Sequence, residues 1–156
     1  MREVSNKKVL VLGAGDRVNV NAINHDVAKH NKYIDVVWDL NELPWPWEDK
    51  QFIFIEARTV LEHLRIDLVE SLNECWRILE SGGCIFVKIP YWNHERTWED
   101  PTHQRGYTLG TFDYFDPDTE RGTTYRFYTT KKWKILEKGY TSDSRSSIFA
   151  KMKKRG

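Results

Sequence analysis

With 156 residues, 40% hydrophobic and 30% charged, the chain has the make-up of one globular domain that buries roughly two-thirds of its unfolded surface. Twenty-four Lys and Arg against twenty-three Asp and Glu leave a net charge of +1, which excludes a global field steering the protein onto nucleic acid or anionic lipid. No run approaches the roughly 20 apolar residues of a membrane span, residues 1–8 lack the apolar core of a signal peptide, and Cys75 and Cys84 sit in apolar stretches rather than a spaced framework, so a cytoplasmic protein is expected.

Residues 8–12 (KVLVL) form a continuous apolar, β-branched run, the mark of a strand covered on both faces. Residues 23–26 (INHD) and 34–38 (IDVVW) are shorter strands of the same kind. Between the first two lies only DRVNVNA, too short for a crossover helix. Residues 39–51 hold two prolines and close with charges, which predicts a loop across the surface; residues 52–57 (FIFIEA) make the next strand. From residue 58 to 79 apolar positions recur at three- and four-residue steps, one amphipathic helix or two short ones in succession, stopped by Gly82 and Gly83 in ESGG. CIFVKIP follows as a buried strand. KKWKILEKGY (residues 131–140) and SSIFAKMKKR (146–155) read as a final strand pair joined by the polar turn TSDSRS. The expected fold is α/β: a Rossmann-like, mostly parallel sheet with an antiparallel C-terminal edge hairpin, shortened by loss of the helix between strands one and two.

Residues 91–132 form a long insertion with little periodicity, and loops of that length are usually functional. Ten aromatics fall there, among them Tyr91, Trp92, Tyr107 and Tyr114. The whole of residues 1–156 is expected to be one domain carrying this insertion.

In a doubly wound sheet ligands bind beyond the carboxyl ends of the strands, and the candidate groups cluster there. Gly13 and Gly15 let a ligand approach the backbone, Asp26 closes strand two where it can accept from a ribose diol, and Asp39 can receive an exocyclic amine while Leu40 packs on a purine face. These groups describe an adenosine site without a phosphate cradle. A dinucleotide site fits less well, because Val18 stands where the third fingerprint glycine belongs.

The pieces VLGAG, INHD, DLNELPWPWEDKQF, VLEHL, LNECWRILESGG and FVKIP, in that order over about residues 8–90, resemble the class I S-adenosylmethionine-dependent methyltransferases, in particular the small type 11 group. The resemblance implies S-adenosylmethionine as cofactor and S-adenosylhomocysteine as product. By it, Gly13, Ala14 and Gly15 line the methionine part, Asp26 holds the ribose, Asp39 and Leu40 flank the adenine, Ala57 and Arg58 border the sulfonium, and His63 lies beside that pocket. It also implies that the missing helix leaves one sheet face open to a second copy or a partner chain, and that relatives cover the substrate with N-terminal helices which this chain lacks.

Other readings of single residues are plainer. DPTH followed by FDYFDP resembles a recurrent element of the same group and makes His103 a candidate general base, with the alternative that it pins the loop to the sheet. Tyr91, Trp92, Tyr107 and Tyr114 are either an aromatic box for a planar or cationic acceptor or a mini-core. His94, Glu95, Glu99, Asp100 and His103 are close in sequence but lack a ligand spacing, so no metal is assigned. Glu62 is read as a helix-surface acid, His25 and His30 as solvent-facing, and the tail KMKKRG as a solvated end. The function expected is methyl transfer to an unidentified, small-molecule acceptor. The alternatives are an inert cofactor-binding or partner-dependent subunit, an oxidoreductase and an RNA-binding protein.

Overall fold

The computed structural model describes residues 6–142 and 144–156. Residues 1–5 of the opening segment and Asp143 of the last turn lie outside the described residues. The strands are β1 (Val9–Leu12), β2 (Ile23–Asp26), β3 (Val36–Val37), β4 (Phe52–Arg58), β5 (Leu79–Pro90), β6 (Trp133–Tyr140) and β7 (Ser147–Lys154). The α-helices are α1 (Leu68–Ile78), α2 (Glu95–Glu99) and α3 (Glu120–Thr124). The strands form one sheet in the order β3-β2-β1-β4-β5-β7-β6. β1 to β5 run parallel, with Leu10 beside Ile23 on one side and Ile55 on the other, and β7 runs antiparallel to both β5 and β6. The expected sheet, its antiparallel edge and the shortened first crossover are all present.

One sheet face carries the main core. Ile85, Val87, Ile148, Ala150 and Met152 alternate along their strands with half-exposed or exposed residues, as one buried face requires, and Leu10, Leu12, Phe52 and Ile55 join them. Against them α1 lays Leu68, Leu72, Cys75 and Ile78, at steps of four, three and three. Asp67 starts this helix: its carboxylate accepts from Glu70 N–H while Glu70 accepts from Asp67 N–H. The periodic segment thus resolves into a single 3-10 turn, Leu61–His63, and one α-helix.

The other face is thin. Residues 13–22 contain no helix and fold back as a loop, so Val11, Ala14, Ala22 and Ile34 make only a small second cluster. Side-chain hydrogen bonds supply what the helix would have. Asn24 receives the N–H of Asn19 and donates to its carbonyl, and Asn31 donates to Gly15 O.

Two expectations are corrected. Residues 39–51 do not merely cross the surface: Trp45 and Trp47 are buried in the main core, because Arg77 on α1 donates to both their carbonyls and to Asp49, and Glu74 accepts from Trp45 N–H. Gly82 and Gly83 do not stop the helix, which ends at Ile78 with Leu79 already extended. They form an irregularity within β5, where Gly82 takes φ +74° and the register to β4 shifts between Phe52 and Phe54.

The long insertion is a chain of short helical pieces: α2, a 3-10 stretch Leu109–Phe115, α3 and a 3-10 turn Arg126–Tyr128. Tyr107, Phe112 and Phe115 anchor it in the main core, while Trp92, Trp98 and Phe127 are exposed. Asp116 accepts from Ile135 N–H and so fastens the insertion to the start of β6.

Candidate active site

Three hollows open at the carboxyl ends of the parallel strands. The first, about 340 Å³, is lined by Gly13, His25, Asp26, Asp39, Leu40 and His63 among others. The second, about 300 Å³, runs along Gly13, Ala14 and Gly15 to Glu56 and Arg58. The third, about 320 Å³, lies beyond β5 among Glu62, His63, Lys88, Arg96, Asp100 and His103. The first two meet at Gly13 and Thr59, the first and third at Thr59 and His63. Each volume is at the lower end of the range for small-ligand sites.

The glycine loop leaves β1 with two left-handed residues, Gly13 at φ +60° and Gly15 at φ +53°. A Cβ on Gly13 would stand 2.7 Å from Val60 Cγ2, whereas at Gly15 nothing lies within 4 Å. The first glycine is required by packing; the second leaves open room above the backbone.

Asp26 and His25 fix this loop. Gly15 N–H donates to Asp26 Oδ2 at 2.8 Å and Val27 N–H to Oδ1 at 2.7 Å. Each carboxylate oxygen keeps one further lone pair for a ligand hydroxyl. His25, expected to face solvent, is buried: Gly13 N–H donates to its Nδ1 at 3.2 Å, and its Nε2 pairs with Trp38 O at 2.8 Å. A carbonyl can only accept, so the proton sits on Nε2. Burial lowers the pKa of this imidazole and keeps it neutral, ahead of the opposing pull of the Trp38 carbonyl and Asp26. His30 is exposed as expected, 3.5 Å from Asp26 Oδ1. Asp39 accepts from Asn41 N–H at 2.9 Å and lines the first hollow with the buried Leu40.

At the end of β4 one of the two expected residues lines a hollow. Ala57 is fully buried in the main core, whereas Arg58 borders the second hollow, where it pairs with Glu56 and lies over the Phe86 ring at 4.3 Å. Thr59, common to all three hollows, and Val60, in the first, line them as well. Thr59 has φ +51°, an unusual conformation for a β-branched residue, and its N–H donates to Lys88 O at 2.9 Å. Nothing in its residue type signalled this; only the sharp turn out of β4 does.

The third hollow gathers what the sequence had separated. His103 comes from the insertion to within 4.7 Å of His63, ring centre to ring centre, because Gln104 N–H donates to Glu62 O. Its Nδ1 pairs with Thr97 O at 2.8 Å, within the insertion itself rather than on the sheet, and its ring lines the hollow. His94 instead caps α2, accepting from Arg96 N–H, and does not join His103. Glu62 is not a surface acid. It is fully buried, and burial pushes its carboxyl up to about 7, with the Asp100 charge adding to the effect. The same burial, with His103 beside it, lowers the pKa of His63.

The aromatic candidates divide. Tyr91 and Trp92 are in edge contact at 6.2 Å, and Trp92 N–H donates to the buried Tyr107's carbonyl. Tyr114 stands apart, stacked on Tyr128 at 5.8 Å and near Tyr125, so the four do not form one box.

The strand order is that of the Rossmann-like fold of the class I methyltransferases, and the family match within it supports S-adenosylmethionine as cofactor. More particularly, residues 15–87 match the methyltransferase domain family of type 11. Among solved structures, the YcgJ protein of Bacillus subtilis superposes with a TM-score of 0.64 at 15% identity, over 97% of this chain and 93% of that one. A methyltransferase from Archaeoglobus fulgidus, described as S-adenosylmethionine dependent, gives 0.60 at 16% identity, over 94% and 85%. The Haloferax volcanii complex with the Trm112 methyltransferase activator gives 0.68 at 12% identity, over 95% and 82%. At these identities the likeness is one of fold. Among curated proteins, none matches the sequence. Among the described residues no helix is long and apolar enough to cross a membrane.

Proposed function

We propose that the chain transfers a methyl group from S-adenosylmethionine to a small-molecule acceptor, acting as one domain with residues 91–132 on the acceptor side. The observation that carries this reading is the junction at Thr59, where the two hollows flanking the glycine loop meet the third one beyond β5. The residues fit the cofactor: the free lone pairs of Asp26 suit the ribose hydroxyls, Asp39 and Leu40 suit the adenine, and the open space above Gly15 with Gly13 and Ala14 suits the methionine part. Bound there, the cofactor supplies an already activated methyl on a sulfonium, so the protein has mainly to align the acceptor and exclude water.

The chain's own residues do the rest. Thr59 and His63 border the passage between cofactor and acceptor sides. Lys88 and Arg96, flanked by Ser146 and Ser147, give the third hollow cationic and hydroxyl-bearing walls suited to an anionic or hydroxylated acceptor. His103 takes the acceptor's proton, with His63 beside it, since an unprotonated Nε2 faces the hollow.

Calorimetric titration with S-adenosylmethionine and S-adenosylhomocysteine tests the reading. Micromolar binding that Asp26→Ala weakens at least tenfold is expected. Equal binding by wild type and variant, or none by either, would overturn it.

A partner-dependent subunit is the second reading, favoured by the thin sheet face beside residues 13–22 and the exposed Val20, Val27 and Val37. In Haloferax volcanii the same fold occurs in a complex with an activator. Light scattering of the cofactor-bound protein separates the two: a strictly monomeric, active chain removes the second reading.

A further inference from the structure

The third hollow contains a group that nothing among the described residues satisfies. Among the described residues, the carboxylate oxygens of Glu62 are the only buried side-chain oxygens without a hydrogen-bond partner, and the residue is 0% exposed. A carboxylate in that position is costly unless a cation or donors face it. What faces it are two imidazole nitrogens: His63 Nε2 at 3.9 Å and His103 Nε2 at 4.0 Å from Oε1. These distances are too long for hydrogen bonds.

Both rings are held so that they present a lone pair rather than a proton. Thr97 O can only accept, so His103 carries its proton on Nδ1. Thr102 Oγ1 donates to Asp100 Oδ1 at 2.7 Å, which leaves it to accept from His63 Nδ1 at 2.7 Å. Three potential ligand atoms, one from each side chain, therefore lie within 4.8 Å of one another. Outer hydrogen bonds that fix tautomer and ring orientation in this manner are the usual surroundings of metal-bound histidines.

We infer that Glu62, His63 and His103 form a binding site for one first-row divalent cation of the zinc class, with its remaining coordination positions open to the third hollow. Two imidazoles and a carboxylate are the donor set of open zinc sites, whose ligand atoms at about 2.1 Å from the ion lie about 3.4 Å apart. The present 3.9 and 4.0 Å to Glu62, with all three atoms within 4.8 Å of one another, close to that by side-chain shifts of about an ångström or less. Metal-free, the two imidazoles are bases; metal-loaded, they are ligands, and the cation gathers an oxygen-bearing acceptor. The site rests on these three side chains alone, so it holds or fails independently of methyl transfer.

The test is titration of the chelator-treated protein with Zn²⁺ and Co²⁺ in the absence of any other ligand. One ion per chain at micromolar affinity or tighter is expected, with a visible Co²⁺ absorption band that Zn²⁺ abolishes. In ¹⁵N-imidazole spectra of the wild type, Zn²⁺ should shift Nε2 of His63 and His103 and leave His25, His30 and His94 unmoved. Glu62→Gln should weaken binding at least 100-fold and Thr102→Val, which frees only the outer hydrogen bond, about tenfold. No binding below millimolar, a shift of His30 or His94 instead, or undiminished binding by a folded Glu62→Gln variant would overturn the site.

Discussion

The two sides of the sheet are held together by different physics. From β4 to β7 the strands and α1 are locked by large apolar side chains, with Phe52, Ile55, Leu72, Ile78 and Ile85 all fully buried. Around β1 to β3, Leu10, Leu12 and Ile23 join the main core but the opposite face buries only a small cluster, and the loops are held by polar groups: His25 between Gly13 and Trp38, Asp26 on Gly15, Asn24 on Asn19. One side is a scaffold and the other a wall of the proposed cofactor site. A wall built from hydrogen bonds can shape a ligand pocket without a helix behind it, at the expense of sensitivity to charge state and to single polar deletions.

Breaking the apolar side has the largest expected effect. Phe52→Ala, at a position with no exposure and in edge contact with Trp47, should lower unfolding free energy by about 3–5 kcal/mol. Urea denaturation checks this, and a loss below about 1 kcal/mol would remove the distinction between the two sides.

On the polar side His25→Ala should cost less, about 1–3 kcal/mol, through the half-buried Gly13 N–H and Trp38 carbonyl it leaves unpaired. It differs in kind because it depends on pH. The folded-state pKa of His25 lies below the unfolded value of 6.5, so the unfolded chain takes up the proton first. The stability this imidazole contributes is complete above pH 6.5 and is lost as pH falls from there through the lowered folded value. The gap between wild type and His25→Ala in urea should therefore narrow on acidification, whereas the gap for Phe52→Ala should stay level.

The apolar side was legible because alternation and three-to-four spacing report burial directly: residues 8–12, 52–57 and the 68–78 helix appear in the pattern of hydrophobic residues alone. Gly13, Gly15, Asp26, Asp39 and Leu40 were legible from their places at strand ends, and all of them line the first or second hollow. What periodicity cannot carry is the direction of a polar side chain. His25 and Glu62 look like surface residues until the strand end and the three-residue turn that bury them are seen. Nor does spacing foresee that His103, forty residues further on, meets His63 rather than its neighbour His94, since that depends on one backbone hydrogen bond from Gln104 to Glu62. Trp45 and Trp47 misled in the opposite way, because the flanking prolines marked a surface loop while the two indoles sank into the core.

The smallest expected change in stability separates wall from ligand. Gly13 and Gly15 both have positive φ, so alanine at either strains the backbone by about 1 kcal/mol. At Gly13 the new methyl also meets Val60 Cβ at 2.8 Å and must displace it, so Gly13→Ala should be the more destabilising of the two. At Gly15 the methyl enters empty space, and only the strain remains. That space is where the proposed cofactor lies. Gly15→Ala should thus unfold within about 1 kcal/mol of wild type yet bind S-adenosylhomocysteine at least tenfold more weakly by calorimetry. Unchanged binding by this variant would mean that the room above the loop serves no ligand, and that the polar wall is only a substitute for the missing helix.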